Sequence, residues 1–471
     1  MFAPACDSDN RPRHDGAVHG PDDPQRARQA AEELAGRGVV GVALGWVDNA
    51  GISRVKTVPV RRLVDAVTAG VGMSPVFDVF LVDDSITTSA HIGGPVGDLR
   101  LYPDLDALTV LAAQPGWAWA PADRYTQDGE PHPACQRRLA AAMEERAAAA
   151  GLEFRMALEI EWFVGRAGGD HDDGLTPGCA GPAYGLTRLV ELSDYAGALL
   201  AALDEQDVPV DQFHPEYAAG QLELSTSAAD PVGAADRAVL VKETIRAVSQ
   251  RHGLRASFAP VVVAGQVGNG GHLHLSAWSD GRNLFAGGDR PYGLTARGES
   301  ILAGLLDALP TLCAVGAPSV ASYLRLVPQR WAAPWQCWGR ENREAALRLV
   351  TGTTGTEATA ANAEVKCFDA SANPYLVAGA VTAVAAATAD EGRTLPAEVT
   401  VDPATLPPDR QPPRLPQSVV EAVEHLEKDG RLRAAFGDPL FEAFVAVRRA
   451  EAELFGGRSD EEVAAATRWR Y

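Results

Sequence analysis

Phe154-Arg155-Met156-Ala157-Leu158-Glu159-Ile160-Glu161-Trp162-Phe163-Val164 is the stretch on which the fold turns. Successive side chains of an extended chain point to opposite faces. Phe154, Met156, Leu158, Ile160 and Trp162 therefore share one face, and Glu159 and Glu161 share the other, about 7 Å apart. The pattern predicts a half-buried strand carrying two neighbouring carboxylates. Similar strands follow downstream. Residues 271–277 set Leu273 and Leu275 against His272, His274 and Ser276. Residues 361–368 set Ala363, Val365 and Cys367 against Asn362, Glu364 and Lys366, and residues 345–350 set Leu347 and Leu349 against Arg348. Singly, each is an ordinary antiparallel strand with a wet polar face. Together they are unusual, because the polar faces carry glutamate, histidine and arginine.

Residues 214–223 add Glu216 and Glu223. Their odd spacing puts them on opposite faces of a straight strand, so the Ala218-Ala219-Gly220 centre predicts a bend or bulge that brings both to one side. Five glutamates and a histidine converging would repel one another unless cations sat between them. Hard divalent ions, Mg²⁺ or Mn²⁺, suit such ligands. Arginine and lysine alongside suit phosphate and carboxylate groups, and this combination is the equipment of phosphoryl transfer. The glycine-rich loop 265–271 leads into a strand rather than a helix, which excludes a dinucleotide fingerprint and leaves a backbone loop that approaches a ligand.

The 471 residues are 46% hydrophobic and 22% charged, enough for one large core and a smaller one. A net charge of −20 argues against nucleic acid and anionic membrane as partners. Six scattered cysteines without CxxC spacing predict small core residues in a reducing compartment. No unbroken apolar run reaches the roughly 18 residues of a membrane span. Residues 1–24, rich in Asp, Arg, Pro and Gly, lack the apolar segment of a signal peptide and predict a disordered tail. The expectation is a cytoplasmic protein. Its fold class is α+β: a small N-terminal β-grasp-like domain over 25–120 and a large domain over 121–471, with a curved antiparallel sheet flanked by helices. Residues 121–133, rich in Pro, Asp and Gly, mark the expected boundary. Helices are expected over 25–37, 134–150, 193–205, 298–309 and 374–389, and Ser418 and Glu421 have capping-box spacing before a helical tail.

At this point the chain resembles the glutamine synthetase family, closest to its γ-glutamyl–amine ligases. The resemblance rests on Glu159-Ile160-Glu161-Trp162-Phe163, on 214–223, on the loop running into His272-Leu273-His274-Leu275-Ser276, on Ser322 to Pro328, on Glu341-Asn342-Arg343 through Arg348, and on Glu364-Val365-Lys366 followed by Ala372-Asn373-Pro374-Tyr375. It implies that Glu161, Glu216 and Glu223 hold one metal, and Glu159, His272 and Glu364 the other. His274, Ser276 and Arg348 would contact ATP, Gly268 and Arg325 the amino-acid end of glutamate, and Lys366 its γ-carboxyl. Arg343 would stabilise the transferring phosphoryl group. Asp78 is the nearest candidate for the small-domain catalytic aspartate, with Asp83 and Asp84 close by. The implied partners are small molecules and further copies of the chain, in stacked hexameric rings.

The chain also departs from that family. A glutamate that helps bind ammonium is expected shortly after the Arg-Leu-Val-Pro segment, yet residues 329–335 carry no acid and contain Trp331 and Trp335. An apolar wall offers no counter-charge to a small hydrated cation. Trp331 therefore points to a small primary amine with a carbon chain, such as ethanolamine, as the acceptor of glutamate. Glutamine synthetase proper, using ammonium, and a catalytically silent regulatory homologue are the alternatives. A polyamine would want acids that the Trp-bearing segment lacks. Lys366 stands where relatives have arginine, and Asn362 where a nucleotide-binding arginine is usual.

Overall fold

The structure is a computed structural model that describes residues 23–168 and 173–471. Of the tail expected over residues 1–24, residues 1–22 lie outside the described residues, whereas residues 23 and 24 begin a helix. Asp23 is already structural: its side chain accepts the Gln25 N–H and caps the helix Pro24–Gly36, whose Pro24 supplies a preset φ in the first turn.

A mixed sheet follows, built from β1 (Gly41–Val47), β2 (Ser53–Pro59), β3 (Val71–Met73), β4 (Leu99–Pro103), β5 (Thr109–Val110) and β6 (Trp117–Thr126). The strand order is β2-β1-β6-β4-β3, with β5 beside β6. β1 and β2 form a hairpin that turns at residues 48–52, and β1 pairs parallel with β6. Val42, Leu44, Leu63, Leu101 and Ala118 lie in the core of this sheet. Residues 121–126, read as part of a linker, instead continue β6, with Pro121 opposite Gly45. Asp123 and Arg124 are buried there in ion pairs, so charged residues that suggested exposure lie inside.

The large sheet comprises β7 (Glu153–Arg166), β8 (Val210–Pro215), β9 (Gln221–Thr226), β10 (Leu254–Ser257), β11 (Gly271–Ser279), β12 (Arg282–Asn283), β13 (Trp335–Arg340), β14 (Ala345–Val350) and β15 (Asn362–Val365). It runs β13-β14-β15-β11-β7-β9-β8, with β10 beside β7 and β12 beside β11. All these pairs are antiparallel except β13–β14. The apolar faces read from the sequence (Met156, Ile160, Trp162, Leu273, Leu275, Leu347, Ala363, Val365) join one core with the helices Pro231–Arg251, Ala296–Gly316 and Pro374–Thr388.

Two helices depart from their expected limits or character. Ala296–Gly316 runs through Pro310, where a stop is the usual outcome, because nearly the whole helix is buried against neighbours that hold it in place. It is long and apolar enough to cross a membrane by length and composition, but 89% of its apolar window is buried within the fold. Ser418 caps Val419–Lys428 by accepting the Glu421 N–H, while the Glu421 carboxylate accepts from Gln417 rather than from the cap residue. The five cysteines among the described residues are buried and free.

Candidate active site

Strand register assembles the polar face. His272 lies opposite Glu159, His274 opposite Glu364, and Glu364 opposite Arg348. Glu161 lies opposite Glu223, which lies opposite His214. Alternation put these residues on one face of each strand, and pairing now sets them side by side across six strands. Glu216 and Glu223 are not joined by a bent strand, as the spacing suggested. They sit on a β8–β9 hairpin, whose turn at 216–220 closes through the Glu216 N–H donating to the Gln221 carbonyl. Gly220 takes φ +74° there, with the Val164 carbonyl 2.8 Å from where a Cβ would stand, so the turn requires glycine.

The face opens into a cavity of about 1140 Å³. Glu159, Glu161, Glu216, Glu223, His272, His274, Gly268, Arg325, Trp331, Arg343, Arg348 and Lys366 all line it, and Glu364 sits just beneath, only 1% exposed. Among the described residues, three ligand sets have donor atoms within 4.8 Å of one another: Glu159–His272–Glu364, Glu161–Glu223–His272 and His214–Glu216–Glu223. The first is the expected trio. Glu161, Glu216 and Glu223 do not form one trio; they are linked through Glu223, with His272 and His214 entering on either side. His214 donors lie 3.1 Å from Glu223 and 3.6 Å from Glu216. Sequence reasoning missed His214 as a ligand, although its i, i+2 spacing to Glu216 was a usable signal. It also missed Gln221, whose amide reaches Glu161 Oε2 at 2.7 Å and the Gly268 carbonyl at 3.0 Å.

The electrostatics fit cations. Burial pushes the Glu223 carboxyl well up, and the neighbouring charges of Glu159, Glu161 and Glu216 push it further. Burial and Glu161 likewise raise Glu216. Carboxylates crowded to this degree, with oxygen and imidazole donors, suit hard divalent ions that relieve the repulsion. Burial also acts to raise Glu364 and Glu159, but it is outweighed, by Lys366 and both histidines at Glu364 and by His272 and His274 at Glu159, and both carboxyls are held down.

The cationic wall is firmly placed. Arg325 donates to the Phe368 and Lys366 carbonyls and meets His272 Nε2 at 3.2 Å. Arg348 pairs with Glu364 at 3.0 Å and with Glu341 at 2.6 Å. Lys366 Nζ lies 3.0 Å from Glu364, and Asn362 Oδ1 2.9 Å from His274 Nδ1. Ser276 lies farther along β11, where its hydroxyl accepts the Trp278 indole N–H, and it does not line the cavity.

Asp78 requires a correction. It is fully buried, paired with Arg124 at 2.6 Å and bonded by Gln136 at 3.1 Å, and it does not line the cavity. A carboxylate locked to a guanidinium inside the fold cannot serve as the catalytic aspartate; it fastens β6 to the residues that start the large domain. Asp84 pairs with Arg54 and Arg470, while Asp83 accepts from the Ser85 N–H. The segment 329–335, free of acid in sequence, meets acids in three dimensions. Glu344, beyond the segment in sequence, accepts the Trp331 N–H at 2.8 Å, and Glu341 lines the cavity.

Residues 133–465 match the family model for the glutamine synthetase catalytic domain. A γ-glutamylpolyamine synthetase of Streptomyces coelicolor is 56% identical over 461 residues, covering 96% of this chain and 98% of that protein. A γ-glutamylanilide synthase of Acinetobacter is 27% identical, covering 94% and 95%. Among solved structures, a glutamine synthase homologue superposes with a TM-score of 0.82 at 33% identity, covering 92% of this chain and 99% of that one. An ADP complex of GmaS gives a TM-score of 0.79 at 27% identity, covering 91% and 97%.

Proposed function

The chain belongs to the glutamine synthetase family, whose members are ligases, and from that premise we propose that it joins the γ-carboxyl of glutamate to a primary amine at the expense of ATP, with a polyamine as the leading acceptor. One observation carries this reading: carboxylate–imidazole ligand sets and five cationic side chains, Arg325, Arg330, Arg343, Arg348 and Lys366, meet in a single cavity whose wall includes Trp331. Divalent ions at Glu159, His272 and Glu364 and around Glu223, with Glu161 and His272 on one side or His214 and Glu216 on the other, would supply positive charge against the phosphates. Arg343 and Arg348 would offset charge gathering on the transferring phosphoryl oxygens. Gly268 and Arg325 would hold the amino-acid end of glutamate, and Lys366 would keep its γ-carboxylate in line for attack on the terminal phosphorus. The resulting acyl phosphate exchanges its C–O bond for a C–N bond to the amine, releasing phosphate.

Two features support a polyamine. The relative at 56% identity is named for that activity, and Glu341, from outside the Trp-bearing segment, adds a carboxylate to the cavity wall beside Arg348. The segment 329–335 itself carries no acid. A monoamine such as ethanolamine is the second reading, favoured by the exposed Trp331 ring on the cavity wall. Phosphate release with ATP, glutamate and Mg²⁺, run against putrescine, spermidine, ethanolamine and ammonium with products weighed by mass spectrometry, tests both. Turnover with the polyamines supports the first reading and turnover with ethanolamine alone the second. Turnover with ammonium alone would restore glutamine synthesis, and an idle enzyme would favour a silent homologue.

A further inference from the structure

The wall carrying Trp331 has an unusual backbone. Gln329, Trp331 and Ala333 take φ of +62°, +54° and +54°, so three non-glycine residues within five lie in the left-handed region. Side chains there strain the chain, and such a conformation persists only where its surroundings impose it. Several contacts do so. Ala332 and Ala333 are buried, anchoring the inner side of the loop. Arg414 spans its ends, donating to the Leu326 and Pro334 carbonyls at 3.2 Å each. At the crest, where the Trp331 ring is 57% exposed over the cavity, the Trp331 N–H donates to Glu344 Oε1 at 2.8 Å.

Glu344 is oddly placed for a carboxylate. It is only 6% exposed, and its second oxygen is buried without a hydrogen-bond partner. Burying an acid with one oxygen unbonded costs stability, and the one hydrogen bond it does accept is what the position gains in return. Glu344 also follows Arg343, which lines the cavity, and its own N–H is held by Asn342 Oδ1 at 3.0 Å. Asn342 in turn donates to the Val399 and Val401 carbonyls. One short, fastened turn thus presents Arg343 to the phosphoryl end of the cavity and Glu344 to the loop that bears Trp331.

We propose that Glu344 is a positioning residue for the amine substrate, acting by holding the strained 329–333 loop so that Trp331 walls the amine end of the cavity. The role rests on the ligase reading above. Glu344 touches no reacting atom; it acts through the Trp331 backbone. Losing its bond frees the loop to relax away from the left-handed conformation, which withdraws the wall from the amine and leaves the nucleotide contacts at His274 and Arg348 and the glutamate contacts at Gly268, Arg325 and Lys366 in place.

Steady-state kinetics of the full chain test this with E344A, E344Q and W331A. Expected for E344A is a rise of about tenfold in KM for the amine, the worth of one buried hydrogen bond, with KM for ATP and for glutamate unchanged. W331A should show the same split. E344Q should restore the wild-type KM, since an amide oxygen can accept the same N–H. Hydrogen exchange at the Trp331 amide, measured without any amine, should be slow in wild type and E344Q and fast in E344A. An amine KM unchanged in E344A, or all three KM values rising together, would overturn the positioning role. Slow exchange in E344A would overturn the tether itself. A wild-type enzyme idle with every amine would remove the ligase reading and the substrate role with it, while fast exchange in E344A would still establish the tether.

Discussion

Glu364 is the residue on which the site's charge balance rests. Its oxygens lie 3.0 Å from Lys366 Nζ, 3.0 Å from Arg348 Nη1 and 3.5 Å from His272 Nδ1. Burial alone would raise its pKa, but the charges of Lys366, His274 and His272 prevail and keep it ionised. As a ligand it offers a full negative charge to a cation; without one it already neutralises two bases. Substitution E364A should reduce amine-dependent phosphate release by more than about 100-fold, since even the outer partners of metal ligands cost 10- to 100-fold. E364Q should do nearly as badly while keeping the volume filled. Either variant retaining activity within about threefold of wild type would remove Glu364 from the chemistry. The residue was legible in the sequence because it alternates with buried Ala363 and Val365. Glu344 was not, because nothing local marks a carboxylate that bonds a backbone thirteen positions away.

Among the elements, the helix Pro374–Thr388 shows how a short motif binds the two sheets together. Asn373 accepts the N–H groups of Tyr375 and Leu376 at the helix start, while its amide donates to the Val47 and Asp48 carbonyls at the end of β1. N373A should cost about 2 kcal/mol, one cap together with buried cross-sheet bonds, read as a shifted urea midpoint. A shift below about 0.5 kcal/mol would mean that water replaces both functions. The helix Ala296–Gly316 meets the site differently. A Cβ on Gly316 would stand 2.1 Å from the Phe368 ring, and the Phe368 carbonyl accepts from both Gly271 and Arg325. G316A should therefore destabilise by about 1–3 kcal/mol and weaken glutamate binding through a displaced Arg325. Unchanged stability and unchanged glutamate KM would refute that link.

At the scale of the molecule, buried ion pairs join the small sheet to the large core. Arg137, on the helix Gln136–Ala149, reaches Asp104 and Asp123 of the small unit and Asp236 of the helix Pro231–Arg251 at 2.7 to 3.0 Å. Arg448 donates to the Asn49 and Pro318 carbonyls, and Arg124 holds Asp78. Burial would raise the Asp78 carboxyl, but Arg124 and His132 overcome it and the net shift is downward. A depressed carboxyl stabilises the folded state above its unfolded pKa of about 3.9, and loses that contribution as pH falls toward the folded value. D78N, which leaves Arg124 without its counter-charge, should lose about 3–5 kcal/mol at pH 7. The difference from wild type should narrow below about pH 4. A gap that stays constant with pH would show that Asp78 contributes by packing rather than by charge.

The sequence by itself determined the strands of the catalytic face and which side chains share it, because alternation is a local property and the apolar partners had to be buried. It also determined the family, through several ordered motifs each confined to a short stretch. Only the tertiary structure decided the rest. Hairpin geometry, not a bulge, brought Glu216 beside Glu223 and set His214 within reach of both. Burial removed Asp78 from the chemistry, and long-range contacts brought Glu344 to a loop that reads as free of acid. Each of these depends on which segments pack together across the chain, and on the burial that follows, and local pattern carries neither.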